Sequence, residues 1–570
     1  MTLQVRPAMA QRIVPILEWL PAYRRESLVP DILGGLALWA VMVPEAMAYA
    51  GIVGVPPIMG LYTIVPPLIA YAFFGSSRLL VVGPDTATGL ISALTVGAVV
   101  AQGTMEFDTL TSTLAILIGV LFLLFGALRM GWVATFIPTP VMRGFIEGLV
   151  CVTIVGQVPH LLGIDGTSGN FLTKLWFVLQ HLRDASLAPV LTGLLSLAAM
   201  LLLRRIAPRV PAALVVAVAA TILIDVLASK AAGIDVVGDL PSGLPHFVKP
   251  VLDPELLQAL LPGALAIVLV GYAEALGGAK AVAMQTGDDV DPNQELVAHG
   301  PANILSGLFG GFLVVGSLSK TSLAMASGAH TQIANLVAAI FCFLTLVFLT
   351  PLFREMPHPA LAAIVIAAML HLSRPDYLRS LFLRNRWEFL IAAIVIIGEL
   401  TLGVLQGIAL GVVLSLLFLI YRTSHPDSAA LGQLPGTEAY RDVQRHPEAI
   451  TFPGLLIWRA GGDLYYASIG HFIEGLNAAL ATSRVSVNCV LVDAGSVNLL
   501  DTSACDTLLA FITKLQHQGI TFAFARVRDQ VRDSMRLGGV EAVVGPANYY
   551  ERVTDGVRAW QHRGKPDAAV

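Results

Sequence analysis

The hydrophobic and polar positions of this chain fall into two regimes that meet near residue 422. Upstream, apolar runs long enough to span a bilayer, or to half-span it where broken, lie near 31–50, 56–74, 84–101, 110–129, 136–161, 187–203, 210–228, 258–278, 295–312, 318–332, 334–352, 357–372, 387–401 and 403–421. A full span takes roughly 20 residues, so the segments opening at Pro84 and Leu318 predict half-helices approached by short extended strands. The even number of segments, about fourteen, brings the chain back to the side on which it started. Downstream, His425-Pro426-Asp427 opens a polar stretch and the pattern becomes that of a small α/β unit. LLIWRA (455–460) reads as strand with Leu464-Tyr465-Tyr466 extending it, 469–482 as helix, NCVLVDAG (488–495) as buried strand, 502–518 as helix, ITFAFARV (520–527) as strand, and 528–538 and 547–561 as helices.

The apolar regime repeats itself. Leu80-Val81-Val82-Gly83 matches Leu313-Val314-Val315-Gly316 at an offset of 233, and each is followed by a hydroxyl-rich helix start. Phe312 to Val315 reads like a few residues of strand that breaks at Gly316. Upstream of each copy lies a Glu-Ala pair inside an apolar run, Glu45-Ala46 and Glu274-Ala275, at an offset of 229. Two halves with the same parts in the same order are the mark of a transporter built from repeats around broken helices.

Composition agrees. With 570 residues, 13% of them charged, and a mean hydropathy of +0.75, the chain is too apolar for an ordinary soluble globule and reads as a multi-pass membrane protein. The net charge of −4 selects no partner, and nothing points to nucleic acid. The first thirty residues carry four prolines and Arg24, Arg25 and Glu26, which predicts no cleavable signal and a cytoplasmic amino terminus. Basic residues collect on that same side, Arg129, Arg204, Arg205, Arg374 and Arg422 among them, against Lys174, Lys249 and Arg354 opposite. The bias fits the positive-inside rule, with both termini cytoplasmic. Four scattered cysteines give neither a disulfide framework nor a metal site. No nucleophile–base set or phosphate-cradling loop suggests an enzyme.

The candidate chemistry sits at the two half-helix starts. First-turn N–H groups and the positive dipole end make an anion site, with no water to compete at the midplane. Thr86 and Thr88 at one start, and Ser317, Ser319 and Thr321 at the other, add hydroxyls, and Lys320 adds a cation. Lys320 either attracts an anion there or snorkels to the interface. Asp85 either joins the site or caps its helix. Glu45 and Glu274, carboxylates inside spans, are by default functional, as proton carriers or as neutral acids bonded between helices. Arg143, Glu147 and Glu399 are expected to anchor, pair or line the cytoplasmic mouth.

PEAMAYAGIVGVPPIMGLY (44–62), GSSRLLVVGP (75–84) and GGFLVVGSLSKTSLAMASGAHTQ (310–332) resemble the signature, third-helix entry and tenth helix of the sulfate permease (SulP) family of anion transporters. The tail resembles the STAS domain of that family, with LVDAGSVNLLDTSACDTL (491–508) at the loop where related anti-sigma-factor antagonists are phosphorylated. The resemblance implies an α-helical polytopic protein of two inverted repeats of about seven spans each, with core and gate domains moving as an elevator, and a homodimer. On this chain it divides 1–30 as a cytoplasmic segment, 31–422 as the transporter domain (repeats about 31–228 and 258–421), 423–435 as linker, 436–562 as STAS domain and 563–570 as tail. It also implies an anion site at Pro84, Asp85, Thr86, Ser319, Lys320 and Thr321 and cation coupling at Glu274, while the acid at Glu45 suggests proton coupling or a changed substrate preference. Two departures stand out: many relatives have glutamine where Glu45 stands and arginine where Lys320 stands. Ser503 is the candidate phospho-acceptor, or merely starts a helix.

The expected activity is proton-coupled symport of a small anion, foremost a sulfate-like oxyanion, across the cell (inner) membrane, with no cofactor beyond the coupling ion, proton or sodium. Sodium-coupled bicarbonate transport and proton-coupled C4-dicarboxylate transport are the same-class alternatives. An uncoupled anion channel, or an anion sensor signalling through Ser503 to a cytoplasmic partner of the STAS domain, comes from another class.

Overall fold

The computed structural model describes residues 14–563 except 137, 165, 168, 169, 208, 209, 227–233, 242, 246 and 484. The first part of the amino-terminal segment, the end of the first repeat at 228 and nearly all of the tail therefore lie outside the described residues. By compactness the chain divides into two units, Met1–Ser415 and Leu416–Val570.

Each of the apolar segments read from the sequence contains a helix. In chain order these are α1 (Leu28–Val53), α2 (Pro57–Tyr62) with α3 (Val65–Phe74), α4 (Thr86–Gly97), α5 (Met105–Ala127), α6 (Thr139–Leu162), and, past a short α7 (Phe171–Gln180), α8 (Leu187–Ile206) and α9 (Ala212–Val226). The second repeat brings α10 (Pro254–Thr286), α11 (Pro292–Leu308), α12 (Leu318–Ala326), α13 (Ile333–Leu344), α14 (His358–Leu372), the amphipathic α15 (Pro375–Arg384), α16 (Arg386–Thr401) and α17 (Val404–Ser424). Nine helical stretches among the described residues are long and apolar enough to cross a membrane. The two half-helix segments fall short, α4 with 12 residues and α12 with 9.

Helix ends follow local chemistry. Thr104, Asp253, Asp291 and Asn385 accept first-turn N–H groups of α5, α10, α11 and α16. Gly54, at φ 87°, closes α1 in the left-handed conformation that a side chain would strain. Packing sorts the helices into two groups. α11 lies along α5 and α3, and α13 along α1, while α6 lies along α16 and α14 and α8 along α14. The groups meet where α1 touches α9 and α14.

Two short strands, β1 (Val81–Gly83) and β2 (Val315–Ser317), pair antiparallel with Val82 opposite Gly316. The sequence placed the second strand at 312–315, and the structure moves it across Gly316. The reason lies in the partners: the backbone of 312–314 is held by side chains rather than by another strand.

The carboxyl-terminal unit holds a six-stranded sheet. Its strands are β3 (Ala429–Gln433), β4 (Tyr440–Asp442), β5 (Leu455–Arg459), β6 (Cys489–Asp493), β7 (Thr521–Ala525) and β8 (Tyr549–Tyr550), in the order β4-β3-β5-β6-β7-β8. β5 through β8 run parallel, with β3 and β4 added antiparallel at one edge. Its helices are α18 (Ile469–Thr482), α19 (Thr502–His517), α20 (Asp529–Leu537), α21 (Val540–Val544) and α22 (Val553–Arg563). Three expectations are corrected here. The 423–435 stretch carries β3, which pairs antiparallel with β4 on one side and with β5 on the other. Leu464 does not extend β5: after Gly461 and Gly462 it bridges Leu500 instead. The single helix expected over 547–561 is β8 followed by α22, since Tyr549 and Tyr550 pair with β7.

Candidate anion-binding site

Backbone that is not helical at membrane depth must find every hydrogen-bond partner inside the protein. Around β1 and β2 it does so through side chains. Asn303 of α11 completes Val314 on both sides, its amide donating to the Val314 carbonyl and its oxygen accepting the Val314 N–H, both at 2.9 Å. Phe312 donates its N–H to Thr63 at 3.0 Å, and its carbonyl accepts the Ser306 hydroxyl. On the other copy, Gln332 and Asn335 both donate to the Leu80 carbonyl at 3.0 Å. Glu295, fully buried, accepts the Tyr71 hydroxyl, the Ser76 and Ser77 N–H groups and the Ser76 hydroxyl, which fixes the loop entering β1. Helix α10 lies against the crossing because Gly271 is bare: a Cβ there would stand 2.5 Å from Val315.

The crossing sends β1 into α4 and β2 into α12, so the two half-helix starts leave one small region. N–H groups of each first turn have no partner within their own helix. The two starts are joined directly: Lys320 on α12 donates through Nζ to the carbonyl of Pro84 at 3.0 Å. Its ammonium also lies 3.6 Å from Oε2 of Glu45 on α1 and 5.2 Å from the centre of the Tyr49 ring. At 4% exposure Lys320 does not snorkel.

The other sequence-predicted residues divide. Ser319 is exposed beside Lys320, and its hydroxyl lies 3.1 Å from that of Ser317. Thr86 is buried, against the Tyr49 hydroxyl. Glu274, half-buried on α10, has Asp85 and Lys320 as the charges acting on it. Asp85 caps α4, accepting the N–H and hydroxyl of Thr88 at 3.1 and 3.2 Å. Thr321 is committed to the framework: its hydroxyl donates to the Ser317 carbonyl at 2.6 Å and accepts the Val81 N–H at 2.9 Å.

Away from the crossing, Arg143 stacks on Tyr377 and Glu147 accepts from Ser373 and Arg374. Glu399 has no ion-pair partner among the described residues. It is buried between Gly148 and Gly407, with no hydrogen bond to either oxygen among the described residues. Ser503 is exposed in the first turn of α19, and Asp501 is the cap. Sequence reasoning missed Asn303, Gln332, Asn335 and Glu295, although polar residues within apolar helices flanking a broken strand were the available signal. It also missed Arg204 on α8, anchored at 3.0 Å on the Ala367 carbonyl, whose charge acts on Tyr49 and on His371.

Helices broken at paired strands, with their starts gathered around one buried cation, define a helical membrane transporter that carries a separate α/β unit at its carboxyl end. The chain matches the sulfate permease family over residues 28–395 and the STAS domain over residues 446–556. A probable sulfate transporter of Mycobacterium tuberculosis is 33% identical over 541 residues, which is 95% of this chain and 97% of the relative. The chloroplastic sulfate transporter 4.1 of Arabidopsis thaliana is 31% identical, over 96% of this chain and 82% of its own. In fold, the chain is similar to murine solute carrier 26 family member A9 in its inward-facing state, at TM-score 0.89 and 22% identity over 98% of this chain and 96% of the other. The transmembrane domain of the cyanobacterial bicarbonate transporter BicA gives TM-score 0.62 and 23% identity over 68% of this chain and 98% of the other. The chain belongs to the sulfate permease family and is a multi-pass anion transporter.

Proposed function

We propose that the protein is a secondary active, proton-coupled symporter of a small oxyanion, with a sulfate-like anion as its substrate. The observation that carries the reading is the Lys320–Pro84 contact, which gathers two half-helix starts around one ammonium deep in the helical unit. Ser319, Lys320, Thr86 and the first-turn N–H groups form the anion's ligand set, while Pro84, Asp85 and Thr321 hold the two starts in register. The names of the bacterial and plant relatives support sulfate. Coupling follows from charge: moving a charge across the membrane potential costs roughly 2.3 kcal/mol per 100 mV, so importing a dianion is doubly opposed and cotransported protons offset this. Glu274 and Glu45 carry those protons. The anion crosses with the core helices, α1–α5 and α10–α13, moving as an elevator against the gate helices in a homodimer. The protein lies in the cell (inner) membrane with both termini in the cytoplasm, and the STAS domain serves docking or assembly, with Ser503 accessible for phosphorylation.

Proteoliposome uptake of labelled sulfate, bicarbonate, succinate and fumarate under imposed pH and sodium gradients tests the reading. Sulfate uptake is expected to follow the proton gradient, to ignore sodium and to be lost in Glu274→Gln. Uptake of bicarbonate driven by sodium, or gradient-independent anion currents, would replace it.

A further inference from the structure

Helix α15 (Pro375–Arg384) has two dissimilar faces, and protein covers only one of them. Its inner face sets Leu381, which is buried, and Tyr377, over whose ring the Arg143 guanidinium of α6 lies at 5.6 Å. The turn before it is held by the Glu147 carboxylate, which accepts from Ser373 and Arg374. The outer ridge runs through Arg379, Phe382 and Leu383, three and four positions apart and so on one side of the helix. Leu383 is 75% exposed and Phe382 48%. Asn385 then ends α15 and caps α16, which brings the Arg386 guanidinium to 5.9 Å from the centre of the Phe382 ring.

The place of this helix decides what the ridge meets. α15 links α14 to α16, two apolar helices of the membrane unit, and so lies where the bilayer core gives way to headgroups. A helix with basic and aromatic residues side by side settles in that layer, apolar side chains in the acyl region and guanidinium groups at the phosphates. Arg379, Arg384 and Arg386 are exposed and have no ion-pair partner among the described residues. From Arg374 to Glu388 four arginines stand against two acids, Asp376 and Glu388, and Glu388 already accepts from Asn385. A second copy of the chain does not supply the counter-charge, because a twofold contact through this ridge sets the same arginines against themselves.

We propose that α15 and the start of α16 bind the headgroup of an anionic phospholipid. Arg379, Arg384 and Arg386 meet its phosphate, Phe382 and Leu383 enter the acyl layer, and the contact holds the α14–α16 connection at the membrane surface. A guanidinium forks onto phosphate oxygens where an ammonium offers only a point charge, so arginine suits the role better than lysine. With both termini cytoplasmic, the lipid is one of the inner leaflet.

Hydrogen exchange over 375–390 tests this, on the full-length protein in nanodiscs of phosphatidylcholine alone or of phosphatidylcholine with phosphatidylglycerol. Phosphatidylglycerol is expected to slow exchange of the segment at least about fivefold, the effect of one arginine held near an anionic surface. It should leave α7, whose only charged residue is Lys174, far less changed. The gain should shrink as salt rises from about 0.1 M to about 1 M, where the screening length falls from about 10 Å to about 3 Å. Replacing all three arginines, by Arg379→Gln, Arg384→Gln and Arg386→Gln, keeps the apolar ridge. That variant is expected to exchange in both nanodiscs as the wild type does without phosphatidylglycerol, with a melting curve to report folding. Equal exchange of the wild type in the two lipids overturns the proposal and leaves the ridge to a second copy. A folded triple variant that still gains from phosphatidylglycerol also overturns it; if the variant does not fold, the wild-type comparison of lipids and salt decides. Slowing by inorganic phosphate in phosphatidylcholine nanodiscs, as large as that by phosphatidylglycerol, marks a site for a free anion and overturns the lipid. No arm measures anion uptake, so the transport reading stands or falls separately.

Discussion

The ammonium of Lys320 and the carbonyl oxygen of Pro84, 236 residues apart in the chain, meet at 3.0 Å and lock the start of one half-helix onto the start of the other. The contact joins the two repeats at the point where each breaks. It also explains why a lysine is tolerated so deep in an apolar unit: a carbonyl, a carboxylate and a ring replace its water.

Removing that ammonium strands Glu45 as a buried charge, a change that typically costs about 3–5 kcal/mol. Lys320→Met is therefore expected to melt well below the wild type and to lose uptake. Adding Glu45→Gln removes the stranded charge, so the double variant should regain most of the melting temperature and none of the uptake. Lys320→Arg should fold and retain part of the uptake, because the larger guanidinium keeps the charge but not the point contact with Pro84. A double variant that melts as low as Lys320→Met would show that the ion pair is not what the single change breaks.

The edges of the strand pair depend on side-chain amides. Asn303→Leu leaves the N–H and carbonyl of Val314 unanswered, at about 1–3 kcal/mol for each orphaned group. The expected result is a lower melting temperature and faster hydrogen exchange at 312–316, with Asn303→Asp less damaging because it keeps the acceptor. Unchanged exchange in Asn303→Leu would mean that Val314 does not depend on the amide.

How much of this was legible in the sequence depends on the range of the interaction. Helices and the repeat were visible because apolar runs and LVVG motifs are local signals, and the hydroxyl-rich starts marked the half-helices. The cap role of Asp85 was within reach, since the residue that it binds is Thr88, three positions on. What stayed hidden is what joins distant segments: Glu45 to Lys320, Glu295 to the loop before β1, Gln332 to Leu80. Thr321 looked like a ligand because its hydroxyl stands at a helix start, and only the pairing of β1 with β2 shows that Val81 uses it. In the carboxyl-terminal domain, β3 and β4 escaped because they are short and lack the apolar run that marks β5, β6 and β7.

Within the STAS domain, Arg526 closes a forked pair on Asp493, at 2.7 and 2.6 Å, from a left-handed backbone at φ 59°. Asp493 is 2% exposed, at the end of the central strand β6, so it relies on that fork. The hydrogen bond to Asp493 raises the Arg526 pKa further above its already high value, so the arginine stays charged throughout the working range. Arg526→Ala is expected to destabilise this domain by about 1–3 kcal/mol, less than a fully buried pair because the arginine is half exposed. Faster hydrogen exchange along β6 and β7 in the full-length protein, with the helical unit unaffected, is the readout. Arg526→Gly would relieve the backbone and so separate strain from charge.

Acid should loosen one corner of the same domain first. Glu541 on α21 accepts from Arg532 and Arg536 of α20, and the hydrogen bond from Arg532 is the main reason that its pKa lies below 4.5, the usual glutamate value. A depressed pKa in the folded state means that the carboxylate's contribution is complete above the unfolded value and is lost as pH falls through the folded one. The α20–α21 corner is therefore expected to keep its exchange protection at neutral pH and lose it below about pH 4, before the sheet does. Glu541→Gln should show the reduced protection already at pH 7 and little further change on acidification. If that variant retains the wild-type acid transition, the loosening begins at another carboxylate.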